Sequence, residues 1–241
     1  MNSMQMLLPI PQLSSYSMQF QPMPLVRRAE PFTDADWLFE IKWDGFRSLA
    51  IVENGRCRLV SRNGNEFKSF PELNISIPLE CRAQSAVLDG EIVCLDQMGQ
   101  TNFENLLFRR GEPRFYAFDL LSREEEDLRY LPLEERKHKL RATLPQTGER
   151  LLYCDHVELA GEEFFWLACQ RDVEGIVAKR RFDSYLVDGS VRWYEIRNRE
   201  YSQWAGREEL FERERETDPE FAVWNTCAKV CDMAQNLIDA Y

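Results

Sequence analysis

Asp-Gly and Asn-Gly dipeptides punctuate the first part of the chain and limit the folds open to it. They stand at Asp44-Gly45, Asn54-Gly55 and Asn63-Gly64, each beside runs rich in apolar residues. Such dipeptides favour the tight turns of β-hairpins, because their residues tolerate positive φ angles. The spacing therefore predicts an antiparallel meander here, rather than the alternating strands and helices of a parallel sheet.

The segment before the first of these turns carries a candidate nucleophile. Apolar side chains alternate at Trp37, Phe39, Ile41 and Trp43, which predicts a strand with Lys42 on the opposite face near its end. A lysine between aromatic neighbours can be desolvated, and desolvation lowers its pKa toward the neutral, nucleophilic amine. The alternative is an edge-strand lysine whose ammonium group stays in water.

Composition is that of an ordinary globular protein. The 241 residues are 44% hydrophobic and 29% charged, which suffices for the core of one large or two small domains. The net charge of −11 argues against a general, charge-driven grip on nucleic acid. Seven cysteines without a CxxC pair indicate free thiols and a reducing cytoplasm. The sequence shows neither a signal peptide nor a stretch of membrane-spanning length.

Several segments resemble the motifs of one enzyme family, and they follow in the family's order over most of the chain. Lys42–Arg47 resembles motif I, Lys-x-Asp-Gly-x-Arg, of the covalent nucleotidyltransferases, which include ATP-dependent DNA ligases, RNA ligases and mRNA capping enzymes. Asp89–Glu91 resembles motif III, and Glu174–Lys179 resembles motif IV. Shorter matches are Ser61–Gly64 to motif Ia and Arg114–Leu121 to motif IIIa. The closest resemblance is to the adenylation domain of bacterial end-joining DNA ligases.

The resemblance implies a nucleophile, a nucleotide pocket and a metal site. Lys42 would attack the α-phosphorus of ATP, and Phe118 would stack on the purine. Glu174 and Glu91 would bind Mg²⁺, a metal held mainly through water and phosphate oxygens. The other implied contacts are Glu40 with the adenine, Ile41 with the nucleotide, Glu91 with the ribose, Arg47 and Arg62 with the ribose or a nick phosphate, and Lys179 and Arg197 with the phosphates.

The segment that occupies motif V departs from the family pattern. The family shows Trp-x-Lys-x-Lys, with both lysines on the α-phosphate, whereas this chain has Glu195 and Arg197 at those positions. Arginine binds phosphate well, but a carboxylate repels it. We therefore predict that Glu195 limits the adenylation step. The alternative is that Glu195 pairs with Arg192 or Arg197 and points away from the cleft.

The fold expected from the resemblance is α+β, with two antiparallel β-sheets flanked by helices and a nucleotide cleft between them, the ATP-grasp-like adenylation fold. Residues 1–24 are predicted as a lead-in, residues 25–212 as the adenylation domain, and residues 213–241 as a helix packed on it, without an OB-fold domain. An apolar stripe predicts this last helix. Within the domain, helices are predicted over 132–143 and 161–170, and one strand over 151–157.

The implied activity is ATP-dependent sealing of DNA nicks in repair or recombination, through an AMP carried on Lys42. The expected cofactors are ATP and Mg²⁺. The expected partner is nicked or broken duplex DNA, bound weakly by this chain alone, with a separate DNA-binding or end-joining protein and no membrane. Two alternatives remain: a weakened or non-enzymatic module that binds ATP or DNA ends, and an RNA ligase or capping-type nucleotidyltransferase.

Overall fold

The computed structural model describes residues 20–185, 190, 192–207 and 209–210, so the predicted C-terminal helix lies outside the described residues. The strands are β1 (Val26–Arg27), β2 (Trp37–Ile41), β3 (Phe46–Glu53), β4 (Arg56–Ser61), β5 (Ser85–Cys94), β6 (Pro113–Arg123), β7 (Glu126–Asp127), β8 (Leu151–Tyr153), β9 (His156–Glu158), β10 (Gly175–Arg180) and β11 (Trp193–Arg197). The helices are α1 (Pro71–Glu80), α2 (Phe103–Leu107), α3 (Leu133–Thr143) and α4 (Gly161–Gln170).

The strands form two sheets that face each other. Sheet A has the order β1-β11-β10-β2-β9, and sheet B has the order β4-β3-β5-β6-β7 with β8 beside β6. Neighbouring strands are antiparallel, except that β1 runs parallel to β11 and β8 runs parallel to β6. The predicted α+β class with two sheets and flanking helices is confirmed, with these two parallel pairs as the departure from a purely antiparallel arrangement.

Apolar side chains fill part of the space between the two sheets. Leu49 and Leu121 of sheet B pack with Trp193 of sheet A in the space between the sheets. Helices α1 and α3 cover the other face of sheet B, and α4 covers the other face of sheet A through Phe165 and Ala168. Among the described residues, none of the helices combines the length and apolar character that a membrane crossing needs.

The predicted hairpin at Asn54-Gly55 is confirmed, and the one at Asp44-Gly45 is wrong. Asn54 and Gly55 have φ angles of 50° and 75°, and the strands on either side, β3 and β4, pair directly. Strands β2 and β3, on either side of Asp44-Gly45, belong to different sheets. A Cβ added to Gly45 would lie 2.0 Å from the Ile92 carbonyl oxygen. The glycine therefore permits close packing as the chain crosses between sheets, rather than a tight turn.

The prediction of a single strand over residues 151–157 is also wrong, because the chain changes sheet within this segment. It is split into β8, which pairs with β6 of sheet B, and β9, which pairs with β2 of sheet A. Cys154 lies between them, and its backbone N–H donates to the Ala117 carbonyl at 2.9 Å. Both errors thus mark points where the chain passes from one sheet to the other, since period-two patterning cannot show that a strand changes sheet.

The helices predicted over 132–143 and 161–170 are confirmed as α3 and α4. Helix α1 was not predicted. Pro71 stands in its first turn, where proline is favoured, but Pro78 inside the helix removes a hydrogen-bond donor and argues against a helical reading. Burial of Leu73 and Ile77, one turn apart, holds this helix on the sheet.

Helix α3 is fixed to sheet B by a fully buried ion pair. Arg136 donates from Nε and Nη2 to the two carboxylate oxygens of Asp119, each at 2.8 Å, and the side chains are 1% and 0% exposed. Arg136 Nη1 also donates to the carbonyls of Leu131 and Asp183. Removing one member of such a pair leaves the other charge buried without a partner, which is strongly destabilising.

Replacement of Arg136 by methionine is expected to lower the free energy of unfolding by about 3–5 kcal/mol, because Asp119 would lose its counter-charge. The matched control is Arg141→Met on the same helix, since the Arg141–Asp155 pair is 61% and 80% exposed; its expected cost is below about 1 kcal/mol. Urea denaturation followed by circular dichroism measures both. Equal losses in the two variants would contradict the prediction.

Candidate active site

A cleft between the sheets brings together most of the predicted nucleotide-binding residues. Sheet A contributes to it through β2, β10 and β11, and sheet B through β3, β5 and β6. The cleft is lined by Leu25, Glu40, Ile41, Lys42, Trp43, Arg47, Glu91, Phe118, Val177, Lys179 and Trp193. A separate groove of about 440 Å³ beside α1 and the β3–β4 hairpin contains none of the predicted site residues.

Lys42 lies immediately after β2, where its backbone N–H still donates to the Gly175 carbonyl at 3.0 Å. Its Nζ donates to Glu174 Oε1 at 2.7 Å and lies 3.9 Å from Glu195 Oε2. Burial alone would lower the pKa of Lys42, as the sequence led us to expect. The nearby carboxylates of Glu174 and Glu195 outweigh burial and raise the pKa, so the structure holds an ammonium ion there.

Glu195 faces three basic groups. Its Oε1 lies 2.9 Å from Arg197 Nη2 and 3.9 Å from Arg27 Nε, and its other oxygen is the one near Lys42. The carboxylate therefore pairs with Arg197, as the alternative interpretation expected, and still lies at the nucleophile. Arg192, the other arginine considered for this pairing, lies 3.7 Å from Asp183 instead.

A second part of the cleft contains a buried cluster of charges. Glu40 is 1% exposed, and its Oε2 lies 2.6 Å from Lys179 Nζ. The Lys179 ammonium group is 4.0 Å from the ring centroids of both Phe118 and Trp193. Lys137 of α3 donates a short hydrogen bond to Glu40 Oε1. Burial would raise the pKa of Glu40, but Lys137 and Lys179 together lower it, so Glu40 is ionised.

The sequence did not single out Lys137 as part of a site. Its Nζ also donates to the Cys154 carbonyl at 2.9 Å, in the segment where the chain crosses between sheets. The available signal was a lysine on the apolar side of α3, in line with Leu133 and Leu140. A buried lysine needs an anionic partner, but Glu40 is 97 residues away in the sequence.

Arg47 lines the cleft and is held by a network of buried polar groups. Its Nη2 donates to Asp89 Oδ2 at 2.8 Å, and its Nη1 donates to the Met23 carbonyl at 2.6 Å. The Tyr185 hydroxyl donates to the same Asp89 oxygen at 2.6 Å. These contacts explain how Asp89 is tolerated in an apolar strand, because both of its buried oxygens have a donor.

Asp44, two residues after Lys42, is held from the segment that follows β11. It accepts from the Tyr201 hydroxyl at 2.8 Å and from Arg207 through a short charge-assisted bond. The Arg207 guanidinium also lies over the rings of Phe103 and Trp204. The loop that carries Lys42 is therefore held at two points, by the bonds to the Asp44 carboxylate and by its connection to β2.

The two carboxylates predicted to bind metal come from different sheets. Glu174 precedes β10, and Glu91 lies on β5, where burial raises its pKa to about 8. Within residues 20–185, 190, 192–207 and 209–210, no group of three or more His, Cys, Asp or Glu side chains could hold a metal ion. Arg62 is exposed in the turn after β4 and is not brought into the cleft.

This geometry can be compared with known proteins. The family described as "ATP dependent DNA ligase domain" matches residues 21–197, most of the chain. The chain belongs to the ATP-dependent DNA ligase domain family. Lys42, Glu91, Glu174 and the cleft between the sheets all fall within the matched part of this ligase domain.

Relatives of the ligase domain include end-joining proteins. It is 34% identical over 169 residues to the multifunctional non-homologous end joining protein LigD of Pseudomonas aeruginosa, covering 67% of this chain and 20% of that protein. It is 31% identical over 221 residues to the bifunctional non-homologous end joining protein LigD of Bacillus subtilis, covering 75% of this chain and 34% of that protein. The chain thus spans between a fifth and about a third of these two proteins.

A solved structure shares the fold of the ligase domain. A mycobacterial DNA ligase D complexed with ATP and MES superposes with a TM-score of 0.64 at 25% identity, covering 76% of this chain and 61% of that one. The match confirms the adenylation-domain fold predicted from the motifs.

Proposed function

We propose that this chain is an ATP-dependent DNA ligase in which Lys42 takes AMP from ATP and passes it to a DNA 5′-phosphate. The observation that carries the proposal is the position of Lys42. Its Nζ lies in a cleft between two sheets, 2.7 Å from Glu174, with Glu91 and Arg47 on the facing sheet. A lysine nucleophile needs a nearby proton acceptor and cations for the phosphates, and this cleft offers both.

In the first step, the lone pair of Lys42 Nζ attacks the α-phosphorus of ATP. A P–N bond forms, the bond from the α-phosphorus to the β-phosphate oxygen breaks, and pyrophosphate leaves. The ammonium group must first lose a proton, and Glu174 is placed to accept it at 2.7 Å. Arg197, 2.9 Å from Glu195, would neutralise charge on the phosphates, as arginine does in a bidentate manner.

The nucleoside would lie along the cleft beyond Lys42. We assign Phe118 to stacking on the purine, Glu40 and Ile41 to the base, and Glu91 to the ribose, because these side chains line one continuous surface. We place Lys179 with the base rather than with the phosphates, since its ammonium group contacts Glu40 and the Phe118 ring.

Glu174 and Glu91 fit Mg²⁺ as oxygen donors near Lys42, one from each sheet. Two carboxylates are too few to enclose the ion, which suits a metal that keeps several waters and shares phosphate oxygens. When bound, Mg²⁺ would polarise the phosphate oxygens as a Lewis acid. Glu174 would then have two roles, because its Oε1 also accepts from Lys42.

Transfer to DNA completes the proposed reaction. AMP on Lys42 would pass to the 5′-phosphate of a nick, and the 3′-hydroxyl would then displace it. Arg47 is assigned to the ribose or the nick phosphate, and Arg62, exposed outside the cleft, is assigned to the nick phosphate. With a net charge of −11, the chain is expected to bind duplex DNA weakly, with a separate end-joining protein as partner. Five described cysteines are free thiols, which supports a cytoplasmic setting.

One observation favours a second candidate, a module that binds ATP or DNA ends without transferring AMP. Glu195 places a carboxylate near Lys42 and occupies Arg197, the arginine assigned to the phosphates. A carboxylate in that position would oppose the negative charge that grows on the phosphates in the transition state.

Intact-mass measurement separates the two functions. After incubation with ATP and Mg²⁺, the protein should gain the mass of one adenylate, and peptide mapping should place it on Lys42. Adding a nicked duplex should then discharge the adduct and yield sealed DNA. Binding of ATP without any mass gain would support the non-enzymatic module, and labelling by GTP instead of ATP would point to a capping-type enzyme.

A further inference from the structure

The Lys179 ammonium group is buried, and Glu40 satisfies only part of its hydrogen-bonding capacity. Its Nζ lies 2.6 Å from Glu40 Oε2, and an ammonium group has three N–H donors, so this contact leaves donors without a partner among the described residues. Its side chain is 2% exposed and lines the cleft between the Phe118 and Trp193 rings. A buried donor left unpaired is costly, so the remaining donors of Lys179 indicate that a ligand in the cleft supplies a further acceptor.

Glu40 and Lys179 together offer a bound base one acceptor and one donor, side by side. The edge of adenine that carries N6 and N1 presents a donor next to an acceptor, whereas the same edge of guanine presents an acceptor at O6 and a donor at N1. A carboxylate beside an ammonium group therefore matches adenine. With guanine, the carboxylate would face the O6 acceptor and the ammonium group would face the N1 donor. A site that reads a base by such paired groups discriminates strongly, because the wrong base leaves buried polar groups unpaired.

This reading works only if Glu40 stays ionised and Lys179 keeps donors for the ligand. Lys179 contacts Oε2 of the Glu40 carboxylate, and Lys137 bonds to its other oxygen, Oε1. Lys137 is itself anchored by a second bond to the Cys154 carbonyl, so it holds the carboxylate in place and supplies a second positive charge that keeps it ionised. An ionised carboxylate has about four acceptor positions, so two lysines still leave room for a base amino group.

We propose that Lys137 is a positioning residue for base selection: it fixes the Glu40 carboxylate so that Glu40 and Lys179 select adenine against guanine. The inference rests on the proposed function, since it takes a purine nucleotide as the ligand of the cleft. Lys137 lies in α3, outside the segments that resemble the family motifs, and it is not among the residues that line the cleft. Its effect on the nucleotide is therefore transmitted through Glu40.

The test compares Lys137→Met with Lys139→Met, a control on the same helix whose side chain is 38% exposed and whose Nζ lies 3.9 Å from Glu126. Covalent labelling is measured over a range of ATP and GTP concentrations. In Lys137→Met, the KM for ATP is expected to rise by about 10- to 100-fold, the value of a hydrogen bond to a charged group, with a smaller change in maximal rate. The preference for ATP over GTP should fall by a similar factor. Lys137→Arg should restore part of it.

Equilibrium dialysis with ATP and with GTP measures the same nucleotide preference of each variant from binding alone, without covalent labelling. A chain that binds ATP but forms no adduct would refute the ligase proposal and still test Lys137. If Lys137→Met fails to fold, Glu40→Gln decides instead, because an amide offers both a donor and an acceptor and should reduce the preference for ATP. An unchanged ratio of ATP to GTP binding in the folded variant overturns the inference, as does a wild type that binds the two nucleotides equally.

Discussion

Lys42→Ala is expected to abolish covalent labelling by ATP. Lys42 is the nucleophile in the proposed reaction, and removing a covalent nucleophile typically costs on the order of 10³-fold or more in rate. Its Nζ is the ammonium group bonded to Glu174 at 2.7 Å, within a cleft lined by both sheets. Labelling with ATP carrying a radioactive α-phosphate, followed by denaturing electrophoresis, measures the loss directly.

Two further variants keep this test specific. Lys42→Arg retains a cation beside Glu174 and should bind ATP while failing to label, because the guanidinium group stays protonated at accessible pH. Lys68→Ala, at an exposed position, should label as the wild type does. An adduct that persists in Lys42→Ala would place the covalent site on another residue and refute the assignment.

The local sequence pattern predicted those parts of the fold whose causes lie close together in the chain. The Asn54-Gly55 turn formed because both residues adopt positive φ angles and the flanking strands are adjacent. Asp44-Gly45 carries the same dipeptide signal but connects two different sheets. What decides that case is the approach of the Ile92 carbonyl to Gly45, a contact made by a strand more than forty residues later.

In the candidate site, too, the residues within motifs could be predicted from the sequence, and those brought in by long-range packing could not. The motif resemblance led us to expect Lys42, Glu91 and Phe118 together in one cleft, and the structure brings them there, because each motif lies on or directly after a strand that faces the cleft. The supporting charges were not foreseen. Lys137 and Arg136 lie on α3 and bond to Glu40 and to Asp119, respectively. Only the packing of α3 against β6 determines which carboxylate each basic group meets.

Glu195 is the residue where a substitution is expected to raise activity. It lies 3.9 Å from Lys42 Nζ and 2.9 Å from Arg197 Nη2, so its charge faces the space assigned to the α-phosphate. Glu195→Gln removes that charge and frees Arg197 for the phosphate. At a partly buried site such an interaction is worth on the order of 1–3 kcal/mol, or roughly tenfold to a hundredfold in rate.

Lysine at this position, which the family resemblance first suggested, is a different experiment in this structure. An ammonium group there would face Arg27, Lys42 and Arg197 at once, and these three basic groups would lose the carboxylate of Glu195. We expect Glu195→Lys to lower the melting temperature of the free protein, because like charges at short range repel. Saturating ATP should restore much of the loss, since ligands that bind only the folded state stabilise it.

Single-turnover labelling at saturating ATP distinguishes the two roles that Glu195 could have. If it opposes the phosphates, Glu195→Gln labels faster than wild type, and Glu195→Lys also labels faster once ATP is bound. If its main role is to hold Arg197 in place, both variants label more slowly, because Arg197 loses the partner that orients it. Glu158→Gln, in an exposed pair with Arg181, serves as the control for removal of a carboxylate and should leave the rate unchanged. A slower rate in both Glu195 variants, with this control unchanged, would show that the carboxylate supports the phosphate site and does not oppose it.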